Sequence, residues 1–226
     1  LINKPYKILI DYNDIIFKNK HALKHLNNRS ALFVSKKLNI SYSEGVKIDK
    51  ITNKTVGHTV TFLNNSGIKT TLEEYNEFVY DHIDWGAFKS HIKNSDYDPL
   101  IDIHLLNEFQ KTQKCILFTN SPRIWVDNTL ELLSTSSYTL FDDMVICQDT
   151  EELKPNDHMY DQIQKKYPGE ELLLIDNSFL SVTGRGRYWR AYLHKHDDTI
   201  FTSAQKLIND MGYEFSDDIA LNNILY

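Results

Sequence analysis

Apolar and polar residues change their period twice along this chain. Lys7-Ile8-Leu9-Ile10 is a short run that stops at Asp11. A run of that length ending in a polar turn predicts a strand over 7–11, buried on both faces. From about 20 to 96 the apolar residues recur three and four apart, as in His21-Ala22-Leu23-Lys24-His25-Leu26 and Leu32-Phe33-Val34-Ser35-Lys36-Lys37-Leu38. That spacing predicts helices. Thr71-Leu72-Glu73-Glu74 has the form of a capping box and opens a further helix, with Tyr75, Phe78 and Val79 on one face. Asp98-Pro99 starts a helix through about Lys111, its stripe formed by Leu100, Ile103, Leu106 and Phe109. Strands and helices then alternate: strand 114–119, helix 122–134, strand 143–147, helix 155–166, strand 171–176, strand 190–194 and a last helix near 202–211. The tail, 215–226, has no pattern.

Alternating strands and helices predict an α/β fold, a parallel sheet with helices on both faces. The helical block interrupts it after the first strand. The expected organisation is a core domain of 1–17 and 97–226 and an inserted helical cap of 18–96, a size that 226 residues accommodate.

Composition narrows the function. A net charge of −6 argues against nucleic-acid binding, which relies on excess Lys and Arg. No run of about eighteen apolar residues predicts a membrane span. Leu1-Ile2-Asn3-Lys4-Pro5 is too short and polar for a signal peptide, and without an initial Met it reads as a trimmed chain. Two cysteines, Cys115 and Cys147, both on expected strands, suggest a reducing, cytoplasmic setting rather than a disulfide framework.

The strand ends carry the chemistry. In a parallel sheet the C-terminal ends share one edge, where sites form. Asp11, Thr119 and Asp176 all stand at such ends, so they can converge. A carboxylate can accept a phosphoryl group as an aspartyl phosphate, with Mg²⁺ to shield charge and a cation to hold the phosphate. Asp11 and Asp176 can supply oxygens to Mg²⁺, Thr119 a hydroxyl to phosphate, and Lys154 the cation that also keeps the nucleophile ionised.

Four stretches in fixed order give this set a family resemblance: Asp11-Tyr12-Asn13-Asp14, Phe118-Thr119-Asn120-Ser121, Leu153-Lys154-Pro155, and Ile175-Asp176-Asn177-Ser178 followed by Val182. The chain resembles the haloacid dehalogenase (HAD) superfamily over about 6–210. Within it, the chain is most similar to the pyrimidine 5′-nucleotidase-like branch with a helical cap, to which 72–81 adds a further likeness. The resemblance implies a Mg²⁺-dependent phosphohydrolase of small phosphorylated metabolites, nucleoside monophosphates among them. It assigns Asp11, Asn13, Thr119 and Lys154 to the catalytic positions and Asn120 and Ser121 to the substrate side. Asp11, the backbone carbonyl of Asn13 and Asp176 would face the metal.

Two residues depart from the pattern. Asn13 stands where the family has a second aspartate, the general acid and base, and an amide cannot cycle a proton. Asn177 replaces a carboxylate near the metal. Asp14 is adjacent to Asn13, but one step along an extended chain turns a side chain elsewhere. The alternative to an attenuated enzyme is therefore a non-catalytic binding, regulatory or structural protein, open to a protein partner. A dehalogenase- or phosphonatase-like hydrolase, which does without the second aspartate, is a further reading, but its specialised groups are not evident.

Other features have ordinary readings. Asn120 and Ser121 serve either phosphate binding or the turn itself. His194 and His196 have zinc spacing but no completing ligands, so they read as a solvated pair. Arg185, Arg187 and Arg190, interleaved with Tyr188 and Trp189, read as a solvated loop before a nucleic-acid or protein contact. Tyr75, Phe78, Tyr80 and Trp85 could stack a base, but helix packing is the default. Asp142 and Asp143 cap or solvate a strand start.

Overall fold

The structure is a computed structural model. It describes residues 6–93, 103, 106–107, 110–111, 113–133, 135–150, 152–184, 189–195 and 197–210. The strands among the described residues are β1 (Tyr6–Ile10), β2 (Cys115–Thr119), β3 (Asp143–Ile146), β4 (Glu171–Asp176) and β5 (Trp189–Leu193). They form one parallel sheet in the order β3-β2-β1-β4-β5. The apolar runs explain its interior. Ile8, Leu9, Ile10, Leu117, Phe118, Leu172, Leu173, Leu174 and Ile175 have no exposed surface, as expected of strands covered on both faces. Burial of such a side chain is worth roughly 1.5–3 kcal/mol.

Between β1 and β2 the described residues form the inserted helices α1 (Lys20–Leu38), α2 (Tyr42–Thr55), α3 (Thr59–Asn65), α4 (Leu72–Asn76) and α5 (Trp85–Lys93). Their ends are fixed locally. Asn19 caps α1 by accepting from the Ala22 N–H, and Asn39, at φ 53°, closes it in the left-handed region. Ser41 and Glu44 form a reciprocal capping box at α2. Thr71 accepts from the Glu74 N–H, as the sequence suggested. The helix it opens then widens into a π-turn at Glu77–Asp81. The wider turn rotates the face, so Tyr75, Val79 and Tyr80 are buried while Phe78 lies half-buried beneath Arg29 and Lys36.

The core helices are α6 (Arg123–Leu132), α7 (Ser137–Leu140), α8 (Asp157–Lys166), α9 (Phe179–Thr183) and α10 (Ile200–Asn209). Helix α8 begins two residues later than expected because Asn156 caps it, accepting from the His158 N–H. Of the helix expected after Asp98-Pro99, Ile103 and Leu106 are helical and buried, and Leu100 and Phe109 lie outside the described residues. Insert and sheet share a continuous apolar core. Where insert meets core, Gly57 (φ +95°) sits so close to Pro155 that a Cβ would approach its Cδ to 2.6 Å.

His194 is not solvated. It is buried, and its Nδ1 is 2.9 Å from the Ser203 hydroxyl. His196, Arg185, Arg187 and Tyr188 lie outside the described residues. Trp189 packs on Tyr160 in the core, and Arg190 pairs with Glu171. Asp142 accepts from the Cys115 N–H at the start of β2.

Candidate active site

Strand register brings the candidate residues together. Ile10 lies level with Leu117 on one side and Ile175 on the other. Asp11 therefore leaves β1 beside Asp176, its N–H donating to the Ile175 carbonyl at 3.0 Å. Asp11, Asn13, Thr119, Asn120, Ser121, Lys154 and Asp176 all line one cleft of about 620 Å³.

Lys154 is the centre of the arrangement. It is 3% exposed, which excludes its reading as a surface lysine at a helix start. Its ammonium lies 2.9 Å from Asp11 Oδ1 and donates to Asp176 Oδ2 at 2.6 Å and to the Phe118 carbonyl at 2.9 Å. Three N–H donors thus meet three acceptors. The backbone that carries Lys154 is also held. Its N–H donates to Asn120 Oδ1 at 2.8 Å, and the Asn120 amide returns a bond to its carbonyl at 3.0 Å. Thr119 Oγ1 accepts from the Ser121 N–H at 3.1 Å, shaping the turn after β2.

Asp176 has no exposed surface. Burial chiefly, and the neighbouring Asp11 charge, push its carboxyl above the ordinary aspartate range, against the pull of Lys154 and the Ser178 N–H. Two carboxylates around one ammonium leave the pair short of positive charge. Among the described residues no group of three or more His, Cys, Asp or Glu side chains gathers as a metal site. Mg²⁺ commonly takes one or two carboxylates and keeps several waters, so Asp11 and Asp176 fit it in kind and number.

Asn13 is held from both ends of its amide. Trp125 Nε1 donates to its Oδ1 at 2.9 Å, and its Nδ2 donates to the Ser121 hydroxyl at 2.8 Å. Trp125 is fully buried among Phe17, Tyr80, Trp85 and Phe88, so it links the loop after β1 to the insert. Asp14 does not turn away from the site. It adopts φ 60°, and that left-handed step lets it line the same cleft.

The opposite wall comes from the insert and was not legible as a site in the sequence. Ser30, Asp49, Asn53, His58, Tyr75 and Tyr80 line it. Asp49 sits mid-helix between Ile48 and Lys50, a pattern that reads as solvated, yet it is 4% exposed. Of the four aromatic residues considered for stacking, Tyr75 and Tyr80 reach the cleft, while Trp85 packs against Phe88 and Trp125.

No protein-family model matches the chain, and no curated protein is significantly similar to it in sequence. Solved structures match over almost their whole length. A HAD family enzyme of Bacteroides thetaiotaomicron aligns with a TM-score of 0.54 at 13% identity, covering 88% of this chain and 98% of that one. A magnesium complex of that enzyme aligns at 0.51 and 16% identity over 87% and 96%. A HAD phosphatase from Thermococcus onnurineus aligns at 0.51 and 16% identity over 92% and 99%. The chain thus has the HAD-type fold, a five-stranded parallel sheet with a helical insert, and similarity at these identities extends to fold alone.

Proposed function

We propose that this protein is a HAD-type phosphohydrolase of small phosphate monoesters, nucleoside monophosphates among the candidates, working slowly through an aspartyl phosphate on Asp11. The observation that carries the reading is the Lys154 ammonium held between Asp11 and Asp176 at the strand ends. Asp11 Oδ attacks phosphorus, a carboxylate–phosphorus bond forms, and the bond to the leaving oxygen breaks. Lys154 pairs with Asp11 and neutralises the phosphate, and Thr119 and Ser121 orient it. Mg²⁺ held by Asp11, Asp176 and the Asn13 carbonyl would shield the negative charge of the two reacting groups. Water then hydrolyses the acyl phosphate, releasing orthophosphate and restoring Asp11.

The leaving oxygen needs a proton and the attacking water must lose one. Asn13 supplies neither, so turnover is attenuated. In this reading the insert, 18–96, is the cap domain over a core of 1–17 and 97–226. Among the described residues no helix is long and apolar enough to cross a membrane.

The double engagement of the Asn13 amide favours a second reading, a non-catalytic protein that binds phosphorylated ligands or a protein partner. A phosphatase assay on a panel of alkyl and aryl phosphates with Mg²⁺ separates the two. The expected result is slow release that Asp11→Asn abolishes and Asn13→Asp raises. If Asn13→Asp is as inactive as the native chain, the non-catalytic reading stands.

A further inference from the structure

The part of the cleft lining that the insert supplies holds a buried carboxylate that the hydrolytic chemistry does not use. Asp49 Oδ1 accepts from the Ser30 hydroxyl at 2.6 Å and from the Thr59 hydroxyl at 2.8 Å. Tyr75 in turn donates to Ser30 Oγ at 3.0 Å. Asn53 approaches Asp49 Oδ2 at 3.4 Å, a long and weak bond. Ser30, Thr59 and Asp49 are 5%, 1% and 4% exposed, and Tyr75 is 6% exposed.

The direction of the protons matters. Each hydroxyl has one hydrogen and two lone pairs. The Ser30 and Thr59 hydrogens go to Asp49, and the Tyr75 hydrogen goes to Ser30. The cluster has therefore committed its hydroxyl donors inward, and what remains is acceptor capacity: Asp49 Oδ2 and the lone pairs of the Tyr75 oxygen. Burial raises the Asp49 carboxyl, and the three side-chain bonds oppose that shift. A purely structural tie between α1, α2, α3 and α4 would be served by neutral hydroxyls and amides. A buried carboxylate at the cleft surface is the costlier choice.

We propose that the Asp49 cluster is the specificity-determining site for the leaving group, and that it selects phosphate esters whose far end carries hydrogen-bond donors, hydroxyl or amino. The substrate would be a short bipolar molecule, its phosphate at Lys154 and its donors at Asp49. A donor-free ester leaves Asp49 Oδ2 with only the long Asn53 bond, so its remaining acceptor capacity is desolvated without compensation. This inference rests on the phosphate reading of the core site.

The test is calorimetric binding, with Mg²⁺, of orthophosphate, 2-aminoethyl phosphate, glycerol 2-phosphate and n-propyl phosphate. The native chain should bind at least one donor-bearing ester about tenfold more tightly than n-propyl phosphate. Asp49→Asn should narrow that ratio to about threefold or less, since the hydrogen bond loses its charge. Tyr75→Phe keeps the ring and removes one acceptor, so it should narrow the ratio about twofold to threefold. It decides the matter if Asp49→Asn does not fold. Which ester leads distinguishes a hydroxyl from an amino ligand. Equal affinity for all three esters in the native chain, or a ratio untouched by the variants, overturns the inference while orthophosphate binding leaves the core reading intact. Failure of orthophosphate and every ester to bind overturns both.

Discussion

The indole N–H of Trp125 donates to the amide oxygen of Asn13 across 2.9 Å. This joins the loop after β1 to the aromatic cluster that seats the insert. Asn13 therefore has a packing role beside any catalytic one, and both are open to substitution.

Asn13→Asp is nearly isosteric. A carboxylate there can accept from Trp125 Nε1 and, after the Ser121 hydroxyl rotates, from Ser121 as well. The fold should be retained. Release of alkyl alcohols should rise by about 10²–10⁴-fold, the usual worth of general acid–base catalysis, and release of acidic phenols by less. Steady-state rates on a matched alkyl and aryl pair check this. An equal gain on both would mean that the proton is not the missing element.

Trp125→Phe keeps a ring in the cluster but leaves the Asn13 oxygen without its donor. The expected cost is about 1–3 kcal/mol, read as a lower urea midpoint at unchanged slope. Trp125→Ala should cost more, about 3–5 kcal/mol, because it also opens a cavity.

Lys154→Met leaves two facing carboxylates uncompensated, one of them fully buried. Breaking a buried pair in this way costs about 3–5 kcal/mol. Adding Asp176→Asn should recover part of the loss, and a double-mutant cycle in urea measures the coupling. Additive losses would show that the two residues do not interact energetically.

Mg²⁺ should stabilise the native chain by mass action, about 1.4 kcal/mol at tenfold excess over its Kd, and chelation should reverse the gain. Asp176→Asn should abolish it. The Asn13→Asp, Asn177→Asp double variant should bind the metal more tightly than the native chain. Calorimetry giving equal affinities would contradict the ligand assignment.

His58 caps α3, accepting from the Val60 N–H on Nδ1, and burial lowers its pKa from 6.5 to about 4. A depressed histidine binds protons more readily in the unfolded chain. Its contribution is therefore complete above pH 6.5 and is lost as the pH falls toward 4. The ring keeps some surface on the cleft, which trims the effect to about 1–2 kcal/mol at pH 5. His58→Asn preserves a capping oxygen, so its urea midpoint should fall less between pH 7.5 and 5 than that of the native chain.

The centre of the sheet was legible because β1, β2 and β4 carry apolar runs that stop at Asp11, Thr119 and Asp176, and register does the rest. The local signal at Thr71 likewise marks a helix start. What sequence could not reveal depends on contacts between distant segments. The Trp125–Asn13 bond spans 112 positions. The burial of Asp49 follows from α1 and α3 closing over α2, not from its neighbours in the chain. Asp14 was misplaced because a strand rule was applied to a left-handed step, and His194 because His-x-His spacing does not reveal that Ser203 covers the first ring.

Gly57 gives this architecture a point of control smaller than any functional group. Its missing side chain is the clearance that lets the insert rest against Pro155, next to the lysine that joins the two aspartates. A single methyl added there would press on Pro155 Cδ and come to 3.5 Å from the Lys154 carbonyl, in a backbone conformation that L side chains rarely adopt. How closely the insert seats on the core beside Lys154 is therefore set, at this point, by an absence of atoms.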